Sequence, residues 1–146
     1  MQPARQSLIE ALFPEGLPGL WCPPLTHFEA GGRIARDRIE KHLARIAPHA
    51  RGLLVPGSTG AGWQLEDAER RELLTIVIAA AQRWNLHVLI AVLKPDTAAT
   101  VETITATTQW LQAVTGLPSF MANPQDVDAS AGTVALAHCT VARRLV

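Results

Sequence analysis

GLLVPGSTGAGW, at residues 52–63, is a short apolar run that leads into a glycine-rich turn. Leu53 to Val55 are too few residues for a buried helix but are enough for an interior β-strand. The glycines that follow let the backbone bend sharply and approach a ligand closely. This stretch therefore predicts a strand that ends in a tight turn with two adjacent hydroxyl groups, and residues 57–62 are called the glycine turn below.

A helix is predicted after the glycine turn, over about residues 67–84. Acidic residues lie in its first turn, where they complement the positive end of the helix dipole. Apolar residues follow at helical spacing, namely Leu73, Leu74, Val77 and Ile78. A strand, a glycine-rich turn with free N–H groups and a helix N-terminus form a common arrangement for binding a carboxylate or a phosphate. The alternative interpretation is a tight turn between a strand and a helix that binds no ligand.

The rest of the chain alternates between strand and helix patterns. Strands are predicted near residues 19–25, 53–56 and 87–93, and helices near 34–47, 67–84 and 97–115. A short helix is also predicted over residues 5–12. The third strand is a nearly continuous aliphatic run, as a parallel strand covered on both faces requires. Strands separated by amphipathic helices indicate an α/β fold.

Three segments carry a recognisable pattern. Residues 57–60 read GSTG, residues 65–70 read LEDAER, and residues 24–28 read PLTHF. Together they resemble the signature of the dihydrodipicolinate synthase and N-acetylneuraminate lyase family, which reads Gly-[Thr/Ser]-Thr-Gly, then Leu-[Ser/Thr]-x-x-Glu-[Arg/Lys], with Thr-Pro-Phe on the first strand. The resemblance covers about residues 17–116, and it implies the first three βα units of a (β/α)8 TIM barrel.

The resemblance also implies a function. Family members are class I aldolases that act on pyruvate or a related 2-oxo acid through a Schiff base to lysine, so no metal or organic cofactor is implied. The two hydroxyl residues of the family turn hold the substrate carboxylate, chiefly through backbone N–H groups, and the second one helps to relay a proton. The matching residues are Ser58 and Thr59. Gly57 and Gly60 would allow the backbone approach, and Thr26 would support the site from the first strand.

The chain departs from the family pattern in the residues that carry the chemistry. Ala61 stands where the family has a glutamate. The family's Schiff-base lysine lies on the sixth strand and its catalytic tyrosine on the fifth, but this chain contains no tyrosine. Of its lysines, Lys41 lies on the charged side of a helix, whereas Lys94 ends the third strand on the face where barrel active sites are built. Lys94 is thus the candidate amine nucleophile, with a solvated lysine as the alternative.

Length limits how much of a barrel the chain supplies. A complete barrel takes about 250 residues, whereas this chain has 146. We expect residues 1–116 to be the N-terminal part of an aldolase-type domain, inactive on its own, and residues 117–146 to be an irregular tail without a fourth barrel strand. The alternatives for the tail are a divergent loop with a terminal helix, or the product of an altered reading frame or a premature stop.

Composition restricts the classes of partner. Apolar residues make up 48% of the chain, charged residues 18%, and the net charge is zero, so neither disorder nor nucleic-acid binding is expected. The spacing of Cys22 and Cys139 does not match a metal-binding motif. We expect both to be reduced thiols in a cytoplasm. No apolar run reaches the roughly 20 residues that span a bilayer. His42 and His49 are expected to face solvent.

Two other functions remain open from the sequence. One is a non-catalytic module in which the glycine turn binds a small carboxylate. The other is an interaction protein, including a homo-oligomer, that covers an open sheet edge by pairing with another chain.

Overall fold

A computed structural model of the protein describes residues 6, 7, 9, 10, 13–115, 120, 121 and 134–139. The strands are β1 (Trp21–Cys22), β2 (Gly52–Val55), β3 (His87–Leu93), β4 (Phe120–Met121) and β5 (Val134–Cys139), and the longer helices are α1 (Arg36–Ile46), α2 (Asp67–Trp84) and α3 (Thr97–Thr115). A short helix was predicted over residues 5–12. Residues 6, 7, 9 and 10 are helical, and the other positions of this helix lie outside the described residues. The chain is therefore a mixed α/β protein, as predicted.

The first three strands form a parallel sheet. Trp21 of β1 lies opposite Gly52 of β2, and Leu53 of β2 lies opposite Val88 of β3. Helix α1 connects β1 to β2, and α2 connects β2 to β3. Because the strands are parallel, their carboxyl ends meet at one edge of the sheet, which we call the carboxyl edge.

Strand β1 is shorter than predicted. It ends at Cys22, whereas the sequence pattern extended the strand to residue 25. Pro23 and Pro24 follow directly, and proline has no N–H to donate to a neighbouring strand. The segment after β1 therefore leaves the sheet early and runs along the carboxyl edge.

The described part of the tail is more regular than predicted. Strand β5 pairs antiparallel with β3, and β4 pairs antiparallel with β5, so the strand order is β1-β2-β3-β5-β4. The prediction of an irregular tail is wrong for these strands, because β3 has backbone groups on its far side that need hydrogen-bond partners. The direction of β5 differs from that of a fourth barrel strand, which would be parallel to β3. The other residues from 116 onward lie outside the described residues.

The core lies between the sheet and helices α1 and α2. Its fully buried members come from five elements: Leu43 from α1, Leu53 from β2, Leu74 and Val77 from α2, Val88 and Ile90 from β3, and Leu111 from α3. A second cluster joins Val92 of β3 to Ile104 of α3. Of the helices that the structure describes, none is long and apolar enough to cross a membrane. The two core clusters hold the carboxyl edge and its loops in place.

Candidate functional site

The glycine turn lies at the carboxyl edge, directly after β2. Ser58–Gly60 form one turn of 3₁₀-helix, entered from Gly57 in an extended conformation (φ −78°, ψ 175°). The N–H groups of Gly60 and Gly62 both donate to the carbonyl oxygen of Gly57, each at 3.0 Å. Ala61 follows in the left-handed region at φ 60°, which costs a non-glycine residue about 1–2 kcal/mol. The turn is thus closed by its own backbone hydrogen bonds.

The two hydroxyl residues of the turn face outward. Ser58 and Thr59 are exposed, whereas Gly57 and Gly60 are buried. Within the described part of the chain, no acceptor takes the backbone N–H of Ser58 or Thr59. Two N–H groups and two hydroxyl groups at the carboxyl edge are therefore able to bind a ligand.

Thr26 connects the segment after β1 to the glycine turn. Its hydroxyl donates to the carbonyl oxygen of Gly60 at 2.6 Å. A Cβ atom on Gly60 would lie 2.8 Å from the carbonyl oxygen of Pro24 and 3.3 Å from Thr26 Oγ1. Real Cβ atoms do not approach a backbone oxygen so closely, so this contact requires glycine. The structure thus places Thr26, predicted to support the site, directly against the turn.

The turn also contacts the ends of the two neighbouring strands. A Cβ atom on Gly57 would lie 3.0 Å from Cβ of Pro23, just after β1. A Cβ atom on Gly62 would lie 2.9 Å from Cδ1 of Leu93, the last residue of β3. The glycine turn is therefore fixed between the ends of β1 and β3.

Lys94 follows Leu93 and is half-buried at the same edge. The pKa of the Asp67 carboxyl is lowered, chiefly by a hydrogen bond from Arg70, and the charge of Lys94 contributes to this lowering. Lys94 therefore lies near the Asp67 carboxylate, as Arg70 and Arg71 do. The structure places this candidate near the turn, beside the start of α2.

The start of α2 is held by contacts that sequence reasoning did not assign. Arg70 is only 5% exposed, and its guanidinium donates to Asp67 Oδ1 at 2.7 Å and to the carbonyl oxygen of Leu65 at 3.3 Å. The Glu69 carboxylate accepts the N–H of Glu66 at 2.9 Å. Glu69 and Arg70 of the family-like motif thus have a structural role, since they fix the start of α2, the helix that follows the glycine turn.

A pair of histidines was also missed. His42 was predicted to face solvent, but this prediction is wrong, since its half-buried ring packs against His27 with the ring centroids 5.0 Å apart at an angle of 72°. His49 is exposed, as predicted. One signal was present in the sequence, because His27 stands where the family-like motif has a proline.

A broad groove of about 840 Å³ lies away from the turn. It runs between residues 29–34, the start of α1 and the side chains of Glu69 and Glu72 on α2, and it carries both acidic and basic groups. It contains neither Ser58 nor Thr59. Among the described residues, no group of three or more His, Cys, Asp or Glu side chains is arranged to hold a metal ion.

Comparison of the chain with protein-family models finds no match, and comparison with curated proteins finds none either. The family resemblance thus stays a prediction from the motifs at residues 24–28, 57–60 and 65–70.

Proposed function

We propose that residues 17–116 are the first three βα units of a (β/α)8 barrel of the dihydrodipicolinate synthase type, and that the glycine turn binds the carboxylate of pyruvate or a related 2-oxo acid. The observation that carries the proposal is the exposure of Ser58 and Thr59, with their N–H groups directed to no acceptor in the described chain. They lie at the carboxyl ends of parallel strands, where barrel enzymes build their sites.

Backbone amides are suitable ligands for a carboxylate. Each hydrogen bond to a charged group contributes about 1.5–3 kcal/mol, and the turn needs no rearrangement because its own hydrogen bonds and Thr26 already fix it. Two such bonds support a dissociation constant on the order of 1 mM, or about 4 kcal/mol. The N-terminus of α2 adds little, since the Glu69 carboxylate already accepts a hydrogen bond there.

Binding by the turn does not by itself supply chemistry. Hydrogen bonds to the carboxylate stabilise substrate and transition state to a similar degree, so they give little acceleration. The chain contains no tyrosine, and Lys94 lies near Asp67. The missing tyrosine favours a second candidate, a non-catalytic module that binds a small carboxylate at the same turn.

The sheet does not favour the third function, pairing with another chain. Strands β1 and β4 lie at the two edges of the described sheet, and each is two residues long. Short edge strands offer few backbone groups to a partner strand. We therefore base the proposed function on the glycine turn.

Replacing Gly60 tests the proposal. Gly60→Ala places a Cβ atom 2.8 Å from the carbonyl oxygen of Pro24, so the turn must shift and its amides lose their alignment. We expect pyruvate to bind the variant at least about tenfold more weakly, a loss of ~1.4 kcal/mol, in an isothermal or NMR titration.

Gly31→Ala is the matched control, because a Cβ atom at this exposed glycine would meet nothing within 4 Å. It should bind pyruvate as the unaltered protein does. Equal weakening in both variants, or no binding of pyruvate by the unaltered protein at concentrations well above ~1 mM, would refute the proposal. Circular dichroism confirms that each variant is folded.

A further inference from the structure

The histidine pair, His27 and His42, joins the segment after β1 to helix α1. The two rings lie edge to face with centroids 5.0 Å apart. His42 Nε2 accepts the backbone N–H of Leu25 at 3.4 Å. His27 Nε2 is buried, and it has no hydrogen-bond partner in the described part of the chain. The acceptor role of His42 Nε2 requires that this nitrogen carry no proton.

The histidine pair is connected to the glycine turn through Thr26. Leu25 and His27, which contact His42, are the two chain neighbours of Thr26, whose hydroxyl donates to Gly60. The carbonyl oxygen of His27 accepts the N–H of Ala35 at 2.8 Å. Residues 25–27 are therefore held by α1 on one side and hold the turn on the other.

We propose that the histidine pair is a pH-dependent contact, which positions residues 25–27 and the glycine turn while the His42 ring is neutral and weakens when that ring takes up a proton. A proton on His42 Nε2 abolishes its hydrogen bond from Leu25. That proton also places a positive charge against the His27 imidazole, in a partly buried position. The two effects act in the same direction.

The surroundings of His42 favour its neutral form. Burial, then His27, then Arg45 on the same helix all lower the pKa of His42. Arg38, one turn earlier on α1, donates to the carbonyl oxygen of Phe28 at 3.4 Å and adds another cation to the segment. Burial and the neighbouring His27 and Arg45 thus oppose protonation of His42.

The direction of the pH effect on stability follows. An unfolded histidine has a pKa near 6.5, so below about pH 6.5 the unfolded chain binds more protons than the folded protein does. The free energy of unfolding therefore falls as the pH drops through about 6.5, and the loss levels off below the pKa of folded His42. Burial also lowers the pKa of His87, the first residue of β3, which lies at the opposite end of the strand from the carboxyl edge. A measurement of total stability therefore cannot assign the pH dependence to His42 alone.

Amide NMR on the ligand-free protein makes the assignment, and it does not depend on carboxylate binding by the turn. Titrating from about pH 7.5 to about pH 5 spans the range in which histidines change charge. We expect the amide signals of Leu25, Thr59 and Gly60 to shift with the same midpoint as the His42 ring. In His42→Gln this common transition should be lost, whereas His49→Gln, at an exposed position near the end of the same helix, should retain it.

Each outcome decides the proposal. It is overturned if the three amides do not follow the His42 ring in the unaltered protein, or if they shift with the midpoint of His87 instead. It is also overturned if His49→Gln abolishes the transition as His42→Gln does. Should His42→Gln fail to fold, the comparison of midpoints in the unaltered protein still gives the answer.

Discussion

Truncating Leu74 to alanine is expected to lower the free energy of unfolding by about 2–5 kcal/mol. Leu74 lies on α2 with 0% of its surface exposed, in the core cluster shared with β2 and β3. The substitution removes apolar contacts and leaves a cavity that the surrounding side chains fill only in part. Because small domains are stable by about 5–15 kcal/mol in total, this loss takes a large share of the stability.

A second leucine provides the control for this prediction. Leu20 is 59% exposed, so Leu20→Ala should change the free energy of unfolding by no more than about 0.5 kcal/mol. Urea denaturation followed by circular dichroism measures both variants. Similar losses in the two variants would mean that α2 does not pack on the sheet as described.

Purified 146-residue protein is expected to have no appreciable aldolase or synthase turnover with pyruvate. The glycine turn offers hydrogen bonds to a carboxylate, but the chain contains no tyrosine for the family's proton relay. A positioned proton-transfer group typically contributes about 10²–10⁴-fold to the rate. Thr59, the other member of the implied relay, cannot replace it alone, and Lys94 lies near the carboxylate of Asp67.

Borohydride reduction followed by intact-mass analysis tests this prediction. Incubation with pyruvate and borohydride should leave the mass of the protein unchanged, because no stable imine forms. The contrary result is a reduced pyruvate adduct that disappears in Lys94→Arg but persists in Lys41→Arg. It would identify Lys94 as the nucleophile of a site with a different mechanism.

Strong local patterns predicted the central elements well. Helices α2 and α3 and strand β3 have the predicted bounds, because each is long and has an unambiguous periodicity. The parallel pairing of β1, β2 and β3 was also predicted, since a helix separates each pair of strands. Strand β1 is shorter than predicted. The apolar pattern predicted a longer strand, but Pro23 and Pro24 have no N–H groups with which to continue the pairing.

Long-range contacts were harder to predict. Strand β5 pairs with β3 across more than forty residues of chain, and a local pattern contains no information about such a partner. At the candidate site, the sequence predicted that Ser58 and Thr59 lie in a glycine-rich turn after β2, but it did not predict the contact between His27 and His42. Their rings meet because the segment after β1 packs against helix α1.

An amide-resolved titration with pyruvate is the most direct test that the glycine turn is a carboxylate site. We expect the largest chemical-shift changes at the backbone N–H groups of Ser58 and Thr59, with a dissociation constant on the order of 1 mM, and little change with a neutral ketone of similar size. Changes centred on the groove at residues 29–34, or equal changes with the neutral ketone, would contradict the account.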